Sequence, residues 1–173
     1  MISLFPGAHF IHIIRDGRDV VSSIMRMGWA DFDDAHEYWK NQLDTGCTFG
    51  QAQPGERYLE VRYEELVRDD AAIAERIFAF LGIEMHPAVT EFCFSQQTTR
   101  VPIGFPTRDF SAGITRSTWA ELLTAEQQLR SLDLIGEHLI RHGYESPTSL
   151  GEKQQRLARL AATSAPLTAT KEP

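Results

Sequence analysis

The sequence predicts an α/β fold with a parallel sheet and a helix-rich C-terminal half. The segment Phe10–Ile14 (FIHII) is a short apolar run rich in β-branched residues, which is typical of a strand buried on both faces of a parallel sheet. The segment Arg57–Tyr63 alternates polar and apolar residues, which predicts a second strand with one partly wetted face. The helical sequence between the two segments is long enough for a right-handed crossover. We therefore expect the two strands to be parallel neighbours.

The first predicted helix follows directly after the first strand. Asp16 can cap it, Val20, Ile24 and Met27 recur at helical spacing, and Gly28 stands where a helix would end. Four further helices are predicted from the same kinds of signal. They run from Asp31 to about Gly50, from Asp69 or Asp70 to Gly82, from Pro87 to about Phe94, and from the capping-box segments at Thr118 and Thr124 to Gly143, with a loop over Gln96–Gly113.

The length and composition indicate one ordinary globular domain. The 173 residues are 42% hydrophobic and 24% charged, with a net charge of −7 that disfavours broad binding to nucleic acid or anionic membranes. We expect a domain over residues 1–145 and a polar, disordered tail over 146–173, with at most a transient helix in 151–162. No run approaches the roughly 20 apolar residues of a membrane span, and no signal peptide is evident. A cytoplasmic protein is expected.

Cysteine and acidic residues give no sign of a metal site at this level. Cys47 and Cys93 are far apart in sequence and form no ligand-spaced pair, so neither a disulfide framework nor a zinc site is indicated. The acidic group Asp31, Asp33 and Asp34 is better explained as capping a helix start than as binding a metal. We predict no metal.

The turn after the first strand is the segment with the clearest chemical potential. Arg15 stands at the carboxyl end of a buried strand, where open α/β sheets bind ligands, and the following helix start offers N–H groups and a positive dipole end to an anion. Ser23 can direct its hydroxyl back toward the same ligand. Alternatively, Arg15 forms a surface ion pair with Asp19 or Glu64, and Ser23 is an ordinary helix residue.

Phe10–Ser23 resembles the 3′-phosphate-binding segment of sulfotransferases that use the donor 3′-phosphoadenosine 5′-phosphosulfate, PAPS. In that family a strand-end Arg and a Ser eight residues later bind the 3′-phosphate, and Arg15 and Ser23 meet this spacing. The Arg-Asp-Gly-Arg motif is most similar to that of bacterial and tyrosylprotein sulfotransferases. Cytosolic small-molecule sulfotransferases usually have Pro or Ala in place of Gly17.

The resemblance extends over about residues 5 to 144. Tyr58–Leu66 is similar to the family's strand ending in Tyr-Glu-Asp-Leu, which implies an adenine contact for Tyr63, although strand-end packing is the alternative. Ile77–Ile83 continues the match. Gly113–Trp119 is similar to a late loop that completes the phosphate site, which implies a phosphate contact for Arg116.

The resemblance implies a P-loop-NTPase-like three-layer fold that is truncated at the N-terminus. The family's 5′-phosphosulfate loop and its His or Glu general base precede the segment that contains Arg15. Neither Gly7–His9 nor Gly50–Gly55 can replace that loop, so no catalytic residue is assigned; His9 is expected to be exposed and His12 to be a buried, hydrogen-bonded strand residue. A kinase of the P-loop type would need the same loop.

Two functions remain open at this level. The first is a sulfotransferase, or a fragment of one, that transfers the sulfuryl group from PAPS to a hydroxyl or amine acceptor, with this chain supplying the 3′-phosphate and adenine side of the donor site. The alternative is a catalytically inactive module that binds PAPS or its product PAP, or that serves as an interaction partner. A partner chain or oligomer is expected to cover the incomplete sheet.

Overall fold

A computed structural model describes the backbone of residues 4–98 and 119–164. Two strands, eight α-helices and one 3₁₀ turn make up the described residues. In chain order they are β1 (Phe10–Ile14), α1 (Gly17–Arg26), α2 (Phe32–Gln51), the 3₁₀ turn Gly55–Arg57, β2 (Tyr58–Arg62), α3 (Tyr63–Arg68), α4 (Asp70–Leu81), α5 (Pro87–Thr98), α6 (Trp119–Leu122), α7 (Ala125–Arg141) and α8 (Pro147–Ser164).

The chain divides into two compact units, and each is described separately below. The first unit contains Met1–Arg15 and Asn41–Ser117, and the second contains Asp16–Lys40 and Thr118–Pro173. One boundary falls between β1 and α1, and another falls inside α2. The domain boundary expected at residue 145 is a different division and stays a prediction.

The first unit is organised around β1 and β2, which pair in parallel. Their register sets Phe10 opposite Tyr58 and Ile14 opposite Arg62. Ile14 and Val61 are buried, whereas Ile11 and Ile13 of β1 are 39% and 52% exposed. Alternate side chains of a strand project from opposite faces, so β1 is buried on one face only, and the expectation of a strand buried on both faces is wrong. The parallel pair is confirmed, while the three-layer form implied by the family resemblance stays a prediction.

The helix boundaries follow local capping chemistry. Asp16 caps α1 by accepting a hydrogen bond from the Arg18 backbone N–H, and Asp69 caps α4 in the same way through Ala72. Thr124 begins α7 with the predicted capping box, in which Gln127 bonds back to the Thr124 N–H. Positive φ angles follow the predicted helix ends, at Gly28, Gly82 and Gly143.

Three helices differ from the sequence expectations. The helix α5 continues to Thr98, beyond the expected end near Phe94 and into the expected loop. The short helix α3 begins at Tyr63, where the alternating pattern had indicated a continuing strand. The helix α8 occupies part of the region expected to be a disordered tail. It is stabilised by tertiary packing: Leu157 is buried, and Leu150 lies against Gly136 of α7, where even a Cβ atom would come within 2.9 Å of it. Composition alone does not reveal such packing.

The core of the second unit is the apolar face of α7. Leu132, Ile135 and Leu139 are fully buried there. His36 of α2 joins this core as a buried polar residue, with Nε2 at 2.8 Å from the Ser131 hydroxyl. Among residues 4–98 and 119–164, none of the helices combines the length and the apolar character that crossing a membrane requires.

Candidate functional site

Arg15 and Tyr63 lie together at the carboxyl ends of β1 and β2. Ile14 and Arg62 are register partners, so the next residue of each strand leaves the sheet at the same edge. The Arg15 guanidinium carbon stands 4.4 Å from the centroid of the Tyr63 ring, a cation–π contact. Both side chains are half-buried. The structure thus brings together two residues that the sequence analysis assigned to the donor site.

The N-terminus of α1 differs from the anion site that the sequence suggested. The Arg18 N–H donates to the Asp16 carboxylate at 3.0 Å, and the N–H groups of Asp19 and Val20 both donate to the Asp16 carbonyl at 3.1 Å. These three donors are therefore already paired within the helix start. For these three donors the expectation of unpaired N–H groups does not hold, because Asp16 satisfies them.

Ser22 and Ser23 have different surroundings on α1. Ser22 is buried, and its hydroxyl donates to the Arg18 carbonyl at 2.8 Å, so it is used within the helix. Ser23 is half-buried. The assignment of Ser23 as the ligand-directed hydroxyl stays a prediction.

The four predicted donor-site residues are distributed over the chain. Arg15 and Tyr63 belong to the first unit, whereas Ser23 belongs to the second. Arg116 and Thr118, with its predicted capping box, lie outside the described residues. A common site for Arg15, Ser23 and Arg116 therefore stays a prediction.

Arg18 is the centre of a buried ionic cluster in the second unit that the sequence analysis did not find. Its guanidinium donates to both oxygens of the Asp16 carboxylate, with the shortest distance 2.6 Å, and also to Glu145. Trp119 stacks on the same guanidinium, with its ring centroid 4.7 Å from the guanidinium carbon. The side chains of Arg18 and Glu145 are only 5% and 3% exposed. Sequence spacing could not have revealed the pairing of two residues 127 positions apart.

Glu145 is held ionised by several donors. Lys153 and Ser149 of α8 also donate to its carboxylate. Burial alone would raise the pKa of Glu145, but hydrogen bonds from Lys153, Ser149 and Arg18 outweigh it and lower the pKa to about 2. The cluster thus ties the start of α1 to the chain just before α8. The buried cation of the cluster, Arg18, is thus paired with two carboxylates.

The histidines and the acidic group have structural partners. His12 is half-buried, and its Nδ1 lies 2.6 Å from the Tyr58 hydroxyl, while His9 is exposed with its ring packed edge-on against Phe80. Asp31 accepts a hydrogen bond from the Asp34 N–H at 3.0 Å, as expected of a capping carboxylate. The predicted roles of His12 as a hydrogen-bonded strand residue and of Asp31 as a cap are in keeping with these contacts.

Comparison with known proteins places the chain in a family. No curated protein matches it significantly. A solved sulfotransferase domain from the Synechococcus PCC 7002 olefin synthase is similar at 21% identity and a TM-score of 0.47. The match covers 92% of this chain and 50% of that one, so the chain spans half the length of that domain structure. A family model described as "Sulfotransferase family" matches residues 1–87, half of the 173 residues and the whole of the β1–β2 region. The chain therefore belongs to the sulfotransferase family.

Proposed function

We propose that this chain supplies the 3′-phosphate and adenine side of a PAPS site, and that it takes part in sulfuryl transfer from PAPS to a hydroxyl or amine acceptor. The observation that carries the proposal is the Arg15–Tyr63 pair at the carboxyl ends of β1 and β2. Ligands of open α/β sheets bind at this edge. We also propose that β1 and β2 belong to the P-loop-NTPase-like three-layer fold implied by the family resemblance.

Arg15 is suited to a phosphate because of how it is held. A guanidinium stacked on an aromatic ring keeps its N–H groups directed outward in the ring plane, where they can form two parallel hydrogen bonds with phosphate oxygens. The contact with Tyr63 therefore restrains the Arg15 guanidinium. Arg15 is half-buried, so a bound phosphate would remain partly shielded from water and salt.

Tyr63 is proposed to have two roles at this edge. Its ring positions the Arg15 guanidinium. The same ring can also contact the adenine of the donor. Ser23 is proposed to add a hydroxyl donor to the 3′-phosphate, and Arg116 a second positive charge. The chain carries a net charge of −7, so affinity for a nucleotide anion has to come from local groups such as these.

The proposed residues bind and orient the donor; none of them is assigned to the chemical step. Sulfuryl transfer breaks the bond between sulfur and the bridging oxygen of the 5′-phosphosulfate and forms a bond between sulfur and the acceptor atom. The acceptor loses a proton, and PAP leaves as the second product. Holding the 3′-phosphate fixes the position of the reacting end of the donor, which is a contribution of orientation.

The proposal is tested by comparing two ligands that differ only in the 3′-phosphate. PAP and adenosine 5′-phosphate would be titrated calorimetrically into the full chain and into Arg15→Ala. We expect the wild type to prefer PAP, and Arg15→Ala to lose about ten- to a hundred-fold in PAP affinity with little effect on adenosine 5′-phosphate, since charge-assisted hydrogen bonds contribute about 1.5–3 kcal/mol.

The matched control is Arg26→Ala, which removes the same charge from the exposed last turn of α1. Its PAP affinity should stay within about two-fold of wild type. Equal affinities of the wild type for the two ligands, or equal losses in the two variants, would refute the assigned 3′-phosphate site. Measurement of PAP release from PAPS in the presence of hydroxyl and amine acceptors then separates an active transferase from a module that binds the donor without turnover.

A further inference from the structure

Three potential metal-binding side chains converge in the first unit, away from the strand-end site. His12 lies on β1, Glu60 on β2 and Cys47 on α2. His12 and Glu60 are direct partners in the parallel register, so their side chains project from the same face of the sheet. Cys47 faces them from the helix. One ligand atom from each of the three residues lies within 4.8 Å of the other two.

The separations are close to those of a tetrahedral metal site. His12 Nδ1 lies 3.9 Å from Glu60 Oε2, and Cys47 Sγ lies 3.8 Å from the same oxygen. Zinc bonds of about 2.0–2.1 Å to nitrogen, about 2.3 Å to sulfur and about 2.0–2.2 Å to oxygen place tetrahedral ligand atoms roughly 3.3–3.6 Å apart. The His12–Glu60 and Cys47–Glu60 separations therefore exceed those of a tetrahedral site by only a few tenths of an ångström.

We propose that His12, Cys47 and Glu60 bind a divalent metal ion of the zinc class, with a fourth position filled by water or another small donor. A thiolate, an imidazole and a carboxylate form a ligand set that suits Zn²⁺, and three protein ligands with an open fourth position are common at zinc. Glu60 is 40% exposed and His12 is 22% exposed, so an ion can reach the cluster from solvent.

The neighbouring groups are compatible with this role. Burial lowers the pKa of His12 more than the Glu60 charge raises it, which favours the neutral imidazole that binds metals. Burial raises the pKa of the Tyr58 phenol to about 12, with the charges of Cys47 and Glu60 contributing, so Tyr58 stays protonated and is a poor ligand. Gly46 gives the imidazole its space, because a Cβ there would lie 2.5 Å from His12 Cε1.

Tyr58 is the group that the metal would displace. Its hydroxyl lies 2.6 Å from His12 Nδ1 and donates to the Gly46 carbonyl at 3.2 Å. Binding of a metal at Nδ1 exchanges the contact with Tyr58 for a coordinate bond and leaves the bond to Gly46 in place. Removal of the hydroxyl should therefore leave metal affinity unchanged or increase it.

The proposal predicts a structural effect of the metal. The three ligands come from two strands and a helix, so a bound ion would link Cys47 directly to β1 and β2. An ion that binds the folded chain more tightly than the unfolded chain raises the stability of the fold. This proposal does not depend on the proposed donor site. PAP binding to the metal-free protein tests that site separately.

The test uses Co²⁺ and Zn²⁺ with the full, tag-free chain after treatment with a chelator and reductant. Co²⁺ should give the visible bands of a tetrahedral site and a near-ultraviolet thiolate-to-cobalt band, saturating at one ion per chain, and Zn²⁺ should displace it. Cys47→Ser should abolish the thiolate band, and Glu60→Gln should weaken Co²⁺ binding at least ten-fold. Tyr58→Phe should bind at least as tightly as wild type.

Cys93→Ser is the matched control, because it removes the buried thiol of α5 and should leave the spectrum unchanged. Circular dichroism of each metal-free variant checks its folding, and partly exposed Glu60 provides a variant that preserves packing if Cys47→Ser unfolds. Zn²⁺ should raise the melting temperature of the wild type but not of Glu60→Gln. A wild type without the thiolate band, a band that survives Cys47→Ser, or a band that Cys93→Ser removes would overturn the proposal.

Discussion

Gly17 lies against the face of the Trp39 indole in the second unit. A Cβ atom at Gly17 would come within 2.8 Å of three ring atoms, closer than carbon atoms pack without displacement. Trp39 is itself buried, so the ring has little room to move away. The glycine of the Arg-Asp-Gly-Arg segment is therefore matched to a specific aromatic neighbour. This contact gives a structural reason for glycine at this position.

We expect Gly17→Ala to lower the free energy of unfolding by about 1–3 kcal/mol, because overpacking a filled site displaces its neighbours. Urea unfolding of the wild type, Gly17→Ala, Trp39→Phe and the double variant measures this effect. Gly17→Ala should cost less stability in the Trp39→Phe background than in the wild type, because the Phe ring is smaller. Gly151→Ala is the control, since no atom lies within 4 Å of the added Cβ. Strictly additive costs of the two changes would contradict the assigned contact.

Tyr63→Ala is expected to weaken PAP binding about three- to thirty-fold, because the Arg15 guanidinium loses the ring that holds it. Tyr63→Phe retains the stacked face and should remain within about three-fold of wild type. Calorimetric titration with PAP distinguishes the two variants, and circular dichroism confirms that each is folded. Equal losses in both variants would indicate that the hydroxyl, rather than the stacked ring, is what matters.

Glu145→Gln is expected to cost about 2 kcal/mol at pH 7, since buried Arg18 loses one of its two carboxylate partners. The pKa of Glu145 is lowered in the folded chain. The contribution of Glu145 to the free energy of unfolding is therefore complete above its ordinary pKa near 4.5 and decreases as pH falls toward about 2.

Urea unfolding of the wild type and Glu145→Gln at pH 7, 4 and 3 checks both statements about Glu145. The difference between the two proteins should shrink over the acidic part of this range. Glu152→Gln, an exposed change on α8, serves as the control. A difference that is as large at pH 3 as at pH 7 would contradict the assigned charge interaction.

His36 is expected to make the chain less stable at mildly acidic pH. Its Nδ1–H donates to the Phe32 carbonyl, because a carbonyl can only accept, and its Nε2 therefore accepts from Ser131. Burial lowers the pKa of His36 below 6.5, although the Phe32 carbonyl and the Asp33 carboxylate act in the opposite direction. A histidine with a lowered folded pKa contributes stability above its unfolded pKa and loses it as pH falls.

Thermal unfolding between pH 7.5 and 5.5 measures the contribution of His36. The melting temperature of the wild type should fall with pH. His36→Gln should be less stable at pH 7.5 and less dependent on pH. His9→Gln, at an exposed position, should keep the slope of the wild type. An unchanged slope in His36→Gln would show that the pH dependence comes from other groups.

The sequence predicted those parts of the fold that local chemistry determines. Asp16 and Asp69 cap their helices through contacts two or three residues away, and the apolar run at β1 is a property of adjacent residues. The helix α8 could not be predicted in this way, because its stability depends on Leu157 being covered by residues distant in sequence.

The same distinction applies to the candidate sites. Arg15 was assigned from its place at the end of a recognisable strand, and Tyr63 was assigned from the family resemblance; their roles toward a ligand stay predictions. Asp16 was predicted as the cap of α1, but the sequence analysis also counted the N–H groups of the helix start toward an anion site, and Asp16 accepts from the Arg18 N–H among them. The convergence of Cys47 on the two strands depends on how α2 packs on the sheet, and only three-dimensional structure shows it.

The parallel register of β1 and β2 connects the two candidate sites. The same alignment that sets Ile14 opposite Arg62 also sets His12 opposite Glu60. Deleting a single residue from either strand would turn the following side chains of that strand to the opposite face of the sheet. Such a deletion would disrupt the cation–π pair of Arg15 and Tyr63 and the potential metal ligands at once. Natural variants of this chain should therefore tolerate length changes in the loops far better than in these ten strand residues.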